Sequence, residues 1–156
     1  MLALHPAGRS ADQLAADLHG DADKAVTVRA EMDRLRLALD AGVVRTRPYR
    51  LQARVDADFL HVRDALAAGQ LRRAVELYRG PLLPSSEAPG VLDEREQLAA
   101  AVRHAVLDSG DVEALWMFST TPEGAADPEV ARRLLAGLRA ADPRRAVLRA
   151  RLDNCL

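Results

Sequence analysis

The chain has 156 residues, with 22 basic side chains against 23 acidic ones, a formal net charge of −1, and 49 % hydrophobic and 29 % charged residues. This is the balance of a soluble globular chain of one domain or two small ones, long enough to bury a core without disulfide or metal staples. It excludes a protein built on apolar spanning helices, because no apolar run approaches the roughly 20 residues that such a helix needs.

Met1-Leu2-Ala3-Leu4-His5-Pro6 has no basic region ahead of a long apolar core, so a cytoplasmic protein without a signal peptide is expected. Ser10 is placed to cap a helix from Ala11 to Leu18, with Leu14 and Leu18 repeating at i, i+4 and Gly20 ending it. Gly20 to Lys24 reads as a turn. Thr27 to Leu39 reads as a second helix with Val28, Met32, Leu35 and Leu39 on one stripe. Its other face carries Ala30, Asp33, Arg34 and Leu37, with Arg29 and Arg36 on a flank. Two helices joined by a short turn, the second presenting arginines, form a helix-turn-helix candidate. Val43-Val44-Arg45-Thr46 and Tyr49-Arg50-Leu51, separated by Arg47-Pro48, predict one short β-hairpin.

Everything after the hairpin reads as helical. Asp56 is expected to cap a helix with Phe59, Val62 and Leu66 on one face, stopped by Gly69. Leu71, Ala74, Val75 and Tyr78 predict a partner helix ending by Gly80. The stretch from Pro81 to Gly90, with three prolines, is expected to leave the helix and tuck its leucines back onto it. A long helix follows from Val91 to about Leu107, with Leu98, Val102 and Val106 in step; Asp111 opens a short one through Leu115, Trp116 and Phe118. Asp127-Pro128 and Asp142-Pro143 announce two more, packing Leu134, Leu135, Leu138, Val147, Leu148 and Leu152.

Charge is uneven along this order. Lys24 to Arg50 holds seven bases against three acids, whereas the chain from Asp56 onward holds 13 bases against 16 acids. A basic focus on an otherwise acidic chain suggests that one segment meets a polyanion.

The run from Thr27 to Leu39, with its Arg34-Leu35-Arg36, followed by Val44-Arg45-Thr46-Arg47-Pro48-Tyr49-Arg50-Leu51, resembles the recognition helix and wing of response-regulator-type winged-helix proteins. Val55 to Leu83, ending in Tyr78-Arg79-Gly80-Pro81-Leu82-Leu83, resembles the bacterial transcriptional activator domain of the antibiotic-regulatory-protein family. A similar tail also occurs at the end of actinobacterial regulators with an upstream GAF sensor domain. The resemblance implies a mainly α fold: a truncated winged helix-turn-helix over residues 1–54, then an all-helical, TPR-like repeat bundle over 55–156. A complete winged helix of this type has a sheet and a full first helix ahead of Ser10. Here only Met1 to His5 could supply the end of that helix, so the expectation is a fragment whose Met1 to Leu4 exposes apolar surface.

The implied partner is double-stranded DNA, with a protein partner or an upstream sensor domain for the helical part, a homodimer as a possible assembly, and no membrane. Arg34, pointing away from the apolar stripe, is the candidate base reader, since a guanidinium can donate two hydrogen bonds to a guanine edge. Arg29, Arg36, Arg45, Arg47 and Arg50 are the candidate phosphate contacts. Asp33 is expected to repel phosphates. The alternative is an interaction module of a GAF-type sensor that has lost DNA binding. No cofactor or metal is expected, because His5, His19, His61 and His104 are scattered and Cys155 is a lone thiol. Nothing resembles a nucleophile elbow or a phosphate loop, so no enzymatic activity is expected.

Overall fold

The computed structural model describes residues 1–40 and 42–153; Cys155, expected to be an incidental thiol, lies outside them. Among the described residues the fold is mainly helical, with one small antiparallel sheet. The helices are α1 (Ala11–His19), α2 (Ala25–Ala38), α3 (Asp58–Ala67), α4 (Leu71–Leu77), α5 (Pro89–Ser109), α6 (Val112–Phe118), α7 (Pro122–Ala126), α8 (Pro128–Gly137) and α9 (Arg144–Asp153). The strands are β1 (Val44–Arg45) and β2 (Arg50–Leu51). No described helix is long and apolar enough to cross a membrane. The chain divides into two compact units, one of Met1–Ala57 with Leu83–Arg95, the other of Asp58–Leu82 with the chain from Glu96 onward.

In the first unit Ser10 caps α1 reciprocally: its hydroxyl accepts from the Gln13 amide, and the Gln13 side chain accepts from the Ser10 amide. Gly20, at φ +70, closes the helix in the left-handed conformation. A 3₁₀ turn, Ala22–Lys24, then leads into α2 two residues earlier than the apolar stripe suggests. The core is small: Ala11, Leu14, Ala15, Ala25 and Val28 are buried, with Met1, Leu2, Leu18, Met32 and Tyr49 packed around them. Three alanines among those five let α1 and α2 close on each other. Met1 and Leu2 therefore cover this core, where an exposed apolar start was expected. A Cβ on Gly90 would lie 2.7 Å from Met1 Cε and 3.1 Å from the Asp17 carbonyl, so glycine is what admits the first turn of α5 here. Leu39 departs from its expected stripe because α2 ends at Ala38, and the extended backbone of Leu39 turns its side chain outward.

Asp58, not Asp56, starts α3. Gly69, at φ +69, ends that helical run as expected, with the Gln70 amide donating to the Ala65 carbonyl. α4 stops at Leu77, and Tyr78 leaves the helix yet is only 3 % exposed. The core of this unit joins Val62, Ala65, Ala74, Val75 and Tyr78 to Leu98, Val102, Val106, Leu115, Phe118, Val130, Leu134 and Leu148. Phe59, Leu66 and Leu71 pack at its edge, half-buried. Sequence periodicity misplaces three details. Pro89 and Gly90 belong to α5, because the first helical position needs no amide donor. Leu83, at φ +42, turns outward and is 59 % exposed. Val147 stands 100° around α9 from the buried Leu148 and is exposed.

Asp111 and Asp127 each cap a helix and each pair with an arginine, Arg72 and Arg103 respectively. The Arg72 guanidinium holds the Asp111 carboxyl below its ordinary value. Burial alone would push Asp127 up, but Arg103 and the amides of Glu129 and Val130 outweigh it and leave it lowered. Two further arginines close helix ends: Arg145 donates to the Leu135 and Leu138 carbonyls, and Arg151 to that of Ser119.

Two outcomes are expected. A Cβ on Gly124 would fall 2.0 Å from the Phe118 carbonyl oxygen, which is backbone and cannot swing away. Gly124→Ala therefore lowers the melting temperature by an amount equivalent to about 3 kcal/mol, whereas Gly110→Ala, with nothing within 4 Å, costs only the strain of its positive φ. The second outcome concerns acid. With folded pKa values lowered, Asp111 and Asp127 stabilise the fold above the unfolded value of about 4, and that stabilisation is lost as pH falls through the folded values. Urea titrations at successively lower pH detect it: Asp127→Asn is destabilising at neutral pH, and that cost shrinks as the pH falls.

Candidate nucleic-acid interface

The hairpin owes its position to the residues ahead of α1. Arg9 and Tyr49 exchange both backbone hydrogen bonds at 2.9 Å. The Arg9 guanidinium reaches Asp17 of α1, Nη2 to Oδ1 at 3.1 Å, in a partly buried ion pair. Tyr49 packs half-buried against the first core. Gly8, at φ +94, fits under the hairpin tip: a Cβ there would stand 2.6 Å from Pro48 Cγ and 3.0 Å from the Tyr49 carbonyl. These contacts hold the loop between β1 and β2 over the amino end of α1.

All six candidate arginines lie in the first unit, in two electrostatic settings. On α2, Arg29 stands 3.6 Å from Asp12 of α1, Arg34 Nη1 2.5 Å from Glu31, and Arg36 3.6 Å from Asp33. All three pairs are solvent-exposed, so each contributes little stability and yields readily to a competing anion. On the hairpin the antiparallel register sets Arg45 opposite Arg50, and Arg47, at φ +75, stands at the tip. Among the described residues none of these three has an ion-pair partner.

An open groove of about 620 Å³ runs between these elements. Arg29, Asp33 and Arg36 line it from α2, Ser10 and Asp12 from the start of α1, and Arg47 and Tyr49 from the hairpin. Arg34 is not among its lining residues; it projects elsewhere on the exposed surface of α2, near Leu37, which is 88 % exposed. The structure thus brings Arg29, Arg36 and Arg47 together and leaves Arg34 apart. Sequence reading missed the neutralising acids, although Glu31 to Arg34 and Asp33 to Arg36 are both i, i+3 pairs on a helix and could have been paired by spacing. It also missed Arg9, whose role depends on a long-range backbone pairing. Among the described residues no group of three His, Cys, Asp or Glu is placed to hold a metal ion.

Gly8→Ala should push the hairpin tip away, exposing the Arg9 and Tyr49 amides to hydrogen exchange and lowering the melting temperature more than Gly42→Ala does. Gly42 carries a similar φ of +95 but has nothing within 4 Å of its would-be Cβ, so the difference isolates the contact with Pro48 and Tyr49. Equal effects from the two substitutions would show that this contact does not hold the hairpin.

Comparison with known proteins places the chain as follows. Residues 111–154 match the family model described as YTH3-like protein, third C-terminal helical domain. Over 153 residues, 98 % of its length, the chain is 38 % identical to an uncharacterized 47.3 kDa protein in the thcA 5′ region of Rhodococcus erythropolis. It spans 35 % of that relative. No solved structure matches.

Proposed function

We propose that the first unit is a double-stranded-DNA-binding module of a cytoplasmic, non-catalytic transcriptional regulator, working as a winged helix with α2 as recognition helix and the β1–β2 hairpin as wing. In this reading the second unit is a TPR-like regulatory part that contacts a protein partner or a sensor domain. The observation that carries the reading is the hairpin register. Arg45 faces Arg50 across the strands with Arg47 at the tip, and among the described residues none of the three has an acid to neutralise it. Like charges opposed on a hairpin raise the energy of the free state, and backbone phosphates relieve that repulsion. The α2 arginines sit beside them, each held by an acid that a phosphate or a guanine edge can displace at small cost.

One observation favours a second reading, an interaction module without DNA binding: Asp12, Glu31 and Asp33 neutralise the helix arginines one for one.

Fluorescence anisotropy separates the two, using duplexes from the promoter region upstream of the protein's own reading frame at several salt concentrations. Arg47→Ala weakens all duplexes alike and flattens the salt dependence by about one phosphate contact. Arg34→Ala costs about 1–3 kcal/mol and relaxes preference at one base pair. Asp33→Arg strengthens binding generally. If the chain binds no duplex at low salt and Asp33→Arg does not restore binding, the second reading stands.

A further inference from the structure

Trp116 and the arginine of the Tyr78-Arg79-Gly80-Pro81 run are far apart in sequence but line one open groove of about 370 Å³ in the second unit. Its walls come from the end of α4, the two residues after it and the end of α6: Glu76, Tyr78, Arg79, Trp116, Met117 and Thr120 are among its lining. Most arginines of this unit are committed. Arg72, Arg103 and Arg144 pair with Asp111, Asp127 and Glu113, and Arg145 and Arg151 close helix ends. Arg79 is different. It is exposed at the groove, and among the described residues no carboxylate or carbonyl meets its guanidinium.

The groove's lining carries one cation, Arg79, that no acid neutralises among the described residues. The Trp116 indole N–H has no hydrogen-bond partner among the described residues, while Arg144 covers its ring at 5.4 Å. The acidic side chain in the lining, Glu76, is tied to Arg73 at 3.4 Å. Between these polar groups lie the half-buried Trp116 and Met117 and the buried ring of Tyr78, which rests on Phe118 with centroids 6.2 Å apart. An unpaired guanidinium beside an apolar floor asks for an occupant with an anionic acceptor next to an apolar group.

We infer that this groove is a docking site for an acidic peptide segment, which seats an apolar side chain on Trp116 and Met117 and sets a carboxylate against Arg79. A single uncommitted cation, with the Glu76 carboxylate also in the lining, suits one carboxylate better than a run of phosphates. The lining has no strongly exposed large hydrophobic residue, which sets it apart from a membrane-inserting face.

The chain has one tryptophan, so intrinsic fluorescence of the full chain reads this groove directly. The probe is a blocked pentapeptide with one acid beside its apolar residue, Ser-Ser-Leu-Glu-Ser, next to versions with Gln or Lys in place of Glu. The acidic peptide is expected to give a saturable spectral shift. Replacing Glu by Gln, or making Arg79→Gln in the protein, should weaken it about tenfold, with partial recovery in Arg79→Lys and no shift with the Lys peptide. The proposal is overturned by the absence of a saturable shift at millimolar acidic peptide, by equal binding of the Gln peptide, or by an Arg79→Gln chain that binds unchanged. It is likewise overturned if a short DNA duplex produces the shift and Arg79→Gln abolishes it, since the groove would then be a polyanion site.

Discussion

Two backbone hydrogen bonds between Arg9 and Tyr49 carry the geometry of the first unit. Strands of two residues are too short to hold themselves in water, where even longer isolated hairpins are marginal. Pairing the hairpin to the segment ahead of α1 lends it a third extended neighbour. The Arg9 guanidinium then fixes that segment to Asp17 and so to the helix. From this follow the close approach at Gly8, the seating of Tyr49 on the core and the position of Arg47 beside α1 and α2. A core whose buried residues are mostly alanine is thin, so polar pinning does in this unit what a larger apolar surface would do elsewhere.

The candidate interface is governed by where its acids lie. Had the arginines of α2 been unopposed, helix and hairpin would form one strongly positive face. Instead Asp12, Glu31 and Asp33 reduce the helix to a set of exposed ion pairs, and the surplus charge gathers on the hairpin. On the proposed reading such a surface would attract polyanions weakly at long range, because paired charges cancel beyond a Debye length of about 8 Å at physiological salt. It would gain strength only at contact, where a ligand replaces the acids, and in the proposed function that arrangement favours specific binding over loose electrostatic attachment.

Local signals carried most of the fold into the sequence. Ser10 with Gln13, Gly20, Gly69, Asp111 and Asp127-Pro128 each act within four residues, and each element boundary they mark lies within a residue or so of the reading. The misses have one origin. Leu39, Leu83 and Val147 are apolar residues whose exposure depends on where a helix ends or which way a loop turns, and periodicity does not register either. α7 was missed although Thr121-Pro122 repeats the capping pattern of Asp127-Pro128, because five residues are too few to show a period. For the candidate site, residue type and the hairpin were legible; the Arg9 pairing, and the difference between the neutralised α2 arginines and the unopposed hairpin ones, were not.

Arginine abundance is a poor guide to function in this chain, since the same side chain does three physically distinct jobs. Arg145 and Arg151 satisfy carbonyls that helix ends leave without donors. Arg72 and Arg103 hold capping aspartates ionised, which couples helix initiation to charge. What remains after these commitments among the described residues is the scattered, exposed Arg54, Arg139 and Arg149, and two placed sets: Arg45, Arg47 and Arg50 on the hairpin, and Arg79 in the groove beside Trp116. The two locations differ in a way that selects different chemistry. On the hairpin, several like charges without an apolar floor suit a repeating anion; in the groove, a lone cation above aromatic and thioether surface suits a single carboxylate with an apolar neighbour. A positive charge gains ligand specificity from what surrounds it, so each of these arginines is identified by the partners it lacks as much as by its own chemistry.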